Sequence, residues 1–303
     1  MRGTASSSKE LESYRKAGKI ASIARKSIVR LVKPGEKILR ICEESEAMMR
    51  KNGAVPAFPT NVSVNHITAH YTSPPSDESV LPDAGLVKID LGASVGGYLS
   101  DTAVTVDLDG KETAMVDAAQ MALKAAVSII KSGTSITSIG EIISKVIVGA
   151  GLKPISNLTG HSLAQNNLHS GISVPNVPMQ SGHVMREGEV YAIEPFVTKK
   201  DGKGFVKDAS DIFIYSCNGD LSQLGDSDVA TNLLFSELKK KFNSLPFALR
   251  WVDHDVDRGQ LKRLLKDGLL TQYPVLVEAS KKIVAQSEHT VLVKKYNCEV
   301  LTD

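Results

Sequence analysis

The decisive stretch runs from Gly85 to Asp107 and reads GLVKIDLGASVGGYLSDTAVTVD. Two runs rich in β-branched and apolar residues, 85–92 and 98–107, flank a glycine-rich connection, GASVGG at 92–97. That pattern predicts a β-hairpin. Each run carries an interior carboxylate, Asp90 and Asp101, although acidic residues are depleted in strands. A four-residue loop at 94–97 predicts that Asp90 lies directly opposite Asp101. There β-carbons are about 4.5–5.5 Å apart and like charges repel. A bound cation or a shared proton would offset the repulsion.

The same oddity recurs further along. Glu194 sits inside the strand-like run 189–198 (EVYAIEPFVT) and Glu288 inside 283–294 (IVAQSEHTVLVK). Ionised carboxylates in such apolar settings are expensive unless paired or bound to metal. His161, in GHSL at 160–163, offers a nitrogen to the same cluster. Four carboxylates and one imidazole form a hard, oxygen-dominated donor set. It suits divalent manganese, iron, cobalt or zinc and argues against copper. Four negative charges balance two dications, and two metals about 3.5–4 Å apart can bridge a hydroxide and clamp a tetrahedral intermediate. His66 and His70 are spaced like the histidines of HExxH, but residue 67 is Ile and prolines surround the segment, so a helical zinc motif is rejected. His70, in AHYT, reads as a loop or strand-end residue. His183, His254 and His289 read as solvated or core positions.

Working outward, apolar spacing predicts helices at about 9–33, 38–52, 112–131 and 136–149, and a further strand at 205–215. Sliding the chain by 98 residues aligns 33–56 with 131–154 at 7 identities in 24 positions, where roughly one or two would arise by chance. The repeat predicts two similar halves within one sheet-containing domain, 10–220 and 273–303. Between the strands, 221–272 is charge-rich and helix-like and is expected to be an inserted helical subdomain. Residues 1–9 are polar and expected to be a flexible tail.

The 303 residues are 42% hydrophobic, enough for a sizeable core. A net charge of +2, from 36 basic and 34 acidic residues, gives no electrostatic case for a nucleic-acid or membrane-surface binder. Cys42, Cys217 and Cys298 are widely spaced without a CxxC pair, which reads as inert thiols in a reducing, cytoplasmic setting. No run approaches the ~18 apolar residues of a membrane span.

With the ligands in the order Asp, Asp, His, Glu, Glu, framed by KIDLG, SDTAVT, GHSL, YAIEPF and SEHTVLV, and with AHYT and LHSG in place, the chain resembles the methionine aminopeptidases from about residue 10 onward. The insert and LPFALRW at 245–251 resemble the type 2 subclass. With no long charged segment ahead of residue 10, the likeness is to its compact archaeal form. The resemblance implies an α/β (α+β) pita-bread fold whose related halves flank a central metal site. It implies Asp90 as a bidentate ligand of one metal, Asp101 and Glu288 as bridges, and His161 and Glu194 completing the second. It further implies His70 and His169 as substrate contacts that stabilise the intermediate, Glu194 as general base, and Phe58 and Leu168 as walls of the methionine pocket. The implied activity is metal-dependent removal of initiator methionine from nascent polypeptides with a small second residue, by a monomer, with the ribosome as a candidate partner. The alternatives are an Xaa-Pro aminopeptidase or prolidase and a non-catalytic pita-bread binding protein. The chain departs from the family's usual pattern at Asn65-His66-Ile67-Thr68, on the pocket rim.

Overall fold

The structure, a computed structural model, describes residues 7–220, 229–252 and 256–303. Residues 1–6 of the expected tail, 221–228 of the expected insert, and His254 lie outside the described residues. Helix α1 (Ser8–Ile28) starts earlier than the polar composition suggested. Ser7 caps it: its Oγ accepts from the Glu10 N–H and its own N–H donates to Glu10. This reciprocal capping box satisfies two helix-end donors, so residues 8 and 9 are helical and Ser7 is their cap.

The remaining helices are α2 (Ile38–Lys51), α3 (Thr113–Ile129), α4 (Ile136–Gly149), α5 (Val229–Phe242) and α6 (Arg258–Lys266). The repeat is structural as well as sequential. Both ends of α2 and α4, and the short strands Val55–Pro56 and Lys153–Pro154, are offset by the same 98 positions. Four of the identical residues are glycines in the left-handed region, Gly35 and Gly53 against Gly133 and Gly151. A side chain is disfavoured there, which explains why the two copies agree at those positions.

In the first half, strand Leu86–Val95 pairs antiparallel with Asn61–Val64 on one side and Tyr98–Asp107 on the other. In the second, Val190–Ile193 pairs with Thr159–Leu163 and His289–Val293. Helices α1 and α2 bury Ile20, Ala24, Ile41 and Met49 against Ile89 and Leu91. Helices α3 and α4 bury Ala118, Ala122, Ile139 and Ile143 against Tyr191, Ile193 and Val291. Each of the isoleucine, leucine, valine and methionine side chains among these stabilises the packing by roughly 1.5–3 kcal/mol.

Side chains and backbone stitch the halves together. Thr105 Oγ1 donates to Gln286 O at 2.6 Å and Thr102 Oγ1 to Glu288 O at 2.9 Å. The Asp101 N–H donates to Thr290 Oγ1 at 2.7 Å, and that hydroxyl donates back to Asp101 O at 2.7 Å. The site lies on this seam.

The helical stretch is shorter than its charge pattern suggested. Helix α6 ends at Lys266, and Leu270–Glu278 is a strand paired along the bulged strand Val206–Cys217. Leu234, Phe235 and Leu238 of α5 and Leu261 and Leu264 of α6 pack on these two strands with Phe247.

Candidate metal centre

The hairpin closes more tightly than a four-residue loop. Val95 pairs with Tyr98, leaving Gly96-Gly97 as a two-residue turn with φ of 61° and 86°. Positive φ at both central positions is what a type I′ hairpin turn requires. The register therefore sets Asp90 opposite Ala103 and Gly92 opposite Asp101. The predicted face-to-face aspartates are instead diagonal neighbours on one face of the sheet. Gly92 leaves room there for Phe58, since a β-carbon would lie 2.5 Å from its ring.

Glu194 and Glu288 do not sit in strand interiors either. The run 189–198 breaks at Glu194-Pro195, between strands Val190–Ile193 and Phe196–Thr198. The run 283–294 breaks at Ser287-Glu288, between Val284–Gln286 and His289–Val293. The register is the same on both sides of the gap, with Phe196 against Gln286 and Ile193 against His289. Glu194 consequently faces Glu288 across it.

His161, on strand Thr159–Leu163, brings its Nε2 to 3.4 Å from Asp101 Oδ2 and 3.6 Å from Glu194 Oε1. Asp101, His161 and Glu288 each present a ligand atom within 4.8 Å of the others'. Gln286 Nε2 lies 3.3 Å from both Asp90 Oδ2 and Glu288 Oε2, so it spans the two ends of the cluster. One oxygen each of Asp90, Asp101 and Glu288 is buried without a hydrogen-bond partner.

The electrostatics follow from burial and crowding. Asp90 is pushed well above the usual carboxyl range by burial and then by Asp101. Burial lifts Asp101 to about 7. Burial and the other carboxylates raise Glu194 and Glu288 well above their ordinary value. Burial lowers His161 to about 4, so its imidazole is neutral and offers a lone pair. Orphaned buried oxygens beside a neutral imidazole fit divalent cations, which would supply the partners those oxygens lack.

The remaining predicted residues border the same cleft, lined by Phe58, Asn61, His70, Leu168, His169 and Tyr273 together with Asp90, Asp101, His161 and Glu194. The His169 ring centroid is 4.3 Å from that of His161, and burial lowers its pKa to about 3, helped by His161 and His70. His70 follows strand Ile67–Ala69 with φ of 64°. Its Nδ1 is 3.1 Å from Pro274 O. A carbonyl can only accept, so Nδ1 carries the proton and neutral His70 keeps Nε2 as an acceptor. Phe58 and Leu168 share one apolar cluster with Ala57, Leu99 and Leu163.

Sequence reasoning missed Asn61, Pro246, Tyr273 and Gln286. Asn61 is the strand partner of Asp90, and Gln286 lies two residues before Glu288. Both were recoverable only from the register. Tyr273 stands edge-on to His70 at 5.9 Å, on the strand that the sequence pattern did not reveal.

The model of metallopeptidase family M24 matches residues 12–295. The methionine aminopeptidase of Methanothermobacter thermautotrophicus is 42% identical over 97% of this chain and 99% of its own. That of Saccharolobus solfataricus is 43% identical over 94% and 95%. Among solved structures, the methionine aminopeptidase of Thermotoga maritima superposes with a TM-score of 0.71 at 22% identity, over 98% of both chains, a likeness of fold. The chain belongs to metallopeptidase family M24, among its methionine aminopeptidases and at the compact length of its archaeal relatives.

Proposed function

We propose that this protein hydrolyses the bond after an N-terminal methionine, releasing it from new polypeptides whose second residue is small. The observation that carries the reading is the buried cluster of four carboxylates and a neutral histidine opening on a cleft walled by Phe58 and Leu168. The close relatives are named for this activity. The three cysteines are free, in keeping with a reducing compartment. The reading takes the enzyme as a cytoplasmic monomer acting where chains leave the ribosome. Among the described residues no helix is long and apolar enough to cross a membrane.

In this reading Asp90, Asp101, His161, Glu194 and Glu288 would together hold up to two divalent ions. Manganese, iron, cobalt and zinc all suit these donors. Bound there, such ions would supply Lewis-acid polarisation of a carbonyl and a lowered pKa of water.

The chain's own groups supply the rest. Phe58 and Leu168 exclude water from the methionine side chain. His70 Nε2 accepts a hydrogen bond from a substrate N–H, because Nδ1–H is committed to Pro274 O. His169, kept neutral by burial, donates a ring N–H to the developing oxyanion. Glu194 would take a proton from the attacking water and deliver it to the nitrogen of the departing amine as the C–N bond breaks.

The test is release of methionine from Met-Ala and Met-Gly peptides after stripping and reloading with each metal. No release with any of the four overturns the reading, and so does cleavage of Xaa-Pro dipeptides without cleavage of Met-Ala.

A further inference from the structure

Residues 244–251 run along one wall of the cleft as a strap. At its start, Ser244 Oγ donates to Asn166 O at 2.6 Å, three residues before His169. Leu245 packs against the cluster that holds Phe58 and Leu168, and Pro246 lines the cleft. Phe247 is tied to Tyr215 by strand pairing. At its end, Arg250 Nη1 donates to Thr72 Oγ1 at 2.8 Å and to Ser73 O at 2.9 Å, just beyond His70. Its Nη2 forms an ion pair with Glu46 of α2, where both side chains are buried. Trp251 Nε1 donates to the other Glu46 oxygen at 2.6 Å, and the Thr60 N–H donates to the first at 3.1 Å.

Both histidine loops thus hang from one strap, one at each end. His70 needs such support, because a non-glycine residue at φ 64° persists only where its surroundings hold it. An arginine suits the task, since its rigid fork of donors can join three elements at once. A buried ion pair adds little net stability over an apolar replacement, so stability alone does not account for it.

We propose that Arg250 and Glu46 are positioning residues which, through the strap, hold the His70 and His169 loops at the spacing the reaction needs. The activity readout rests on the methionine-removal reading, whereas the loop-ordering readout does not.

The test uses the full metal-loaded chain with Arg250→Lys, Glu46→Gln and Thr72→Val. Four quantities are measured: kcat/KM on a Met-Ala peptide, metal stoichiometry, amide exchange at 70–73 and 164–169, and the emission of Trp251, the only tryptophan. Arg250→Lys and Glu46→Gln should lower kcat/KM about 10- to 100-fold, the scale of an ångström-sized misplacement. Stoichiometry should be unchanged, exchange should quicken in both loops, and the emission of Glu46→Gln should shift. Thr72→Val keeps the ion pair and should loosen only 70–73, with a smaller loss. Should Arg250→Lys fail to fold, the other two variants carry the test. Unchanged kcat/KM and exchange overturn the proposal, as does lost activity with both loops as protected as in the wild type. A wild type that releases no methionine defeats the proposed function, and the exchange pattern still decides this one.

Discussion

Replacing Asp101 with Asn should stabilise the metal-free protein while abolishing its capacity for metal. In the folded chain Asp101 is raised from 3.8 to about 7. For an acid raised on folding, the penalty is absent below the unfolded value and fully present above the folded one. It therefore grows between pH 4 and 7 and stays constant beyond. At about 1.4 kcal/mol per pH unit, the full penalty at pH 8 is of the order of 4 kcal/mol. Asn keeps the shape and removes the charge. It also relieves Asp90, Glu194 and Glu288, all of which Asp101 pushes upward. Buried histidines act in the opposite sense, with His161 lowered to about 4 and His169 to about 3. Comparing variant with wild type at each pH largely removes their contribution. The assay is urea unfolding in chelator at pH 8 and at lower pH. The variant should be more stable by up to about 4 kcal/mol at pH 8, with the gap closing towards pH 4. With metal present the order should reverse, because only the wild type gains binding energy. An Asn variant less stable than the wild type in chelator at pH 8, or a gap independent of pH, would refute the reasoning.

Three further outcomes are expected. His169→Ala should lower kcat about 10²- to 10³-fold, as loss of an oxyanion donor does, with metal content by elemental analysis unchanged. Gly97→Ala should raise KM, because a β-carbon there would lie 2.4 Å from Asn166 Oδ1 at φ +86° and displace the loop that carries Leu168. Thermal unfolding should show it about 1–2 kcal/mol less stable, the scale of a left-handed side-chain penalty. Phe58→Ala should raise KM for Met-Ala more than it lowers kcat, the mark of lost ground-state binding, as steady-state kinetics will show.

Much of the centre was legible because charge in a strand-like run is anomalous. Asp90, Asp101, Glu194, Glu288 and His161 could be picked out without knowing how the strands pair. Their mutual placement could not. The pattern at 92–97 shows a turn but not its length, and the two-residue Gly96-Gly97 turn moved Asp101 from Asp90 to Gly92. Similarly, continuous apolar runs concealed the breaks at Glu194-Pro195 and Ser287-Glu288 that aim both glutamates into one gap. The 98-residue repeat was readable because its glycines occupy positive φ, a local demand. The strand Leu270–Glu278 was not, since LTQYPVLVE follows a strongly helical stretch, contains a proline, and is stabilised by pairing with a distant strand. Tyr273 was lost with it. Arg250 lies in the LPFALRW stretch, but its pairing with Glu46 gave no signal, because an ion pair between residues far apart in sequence leaves no local pattern.

The central claim is that one buried acidic cluster holds the metal on which methionine release depends. Its most direct test measures metal content and methionine release from a Met-Ala peptide on the same samples of wild type, Asp101→Asn and Glu288→Gln, after stripping and reloading. The account predicts up to two ions and release in the wild type, and loss of both together in each variant. Release by a variant that has lost its metal, or full metal content in both variants, would contradict it.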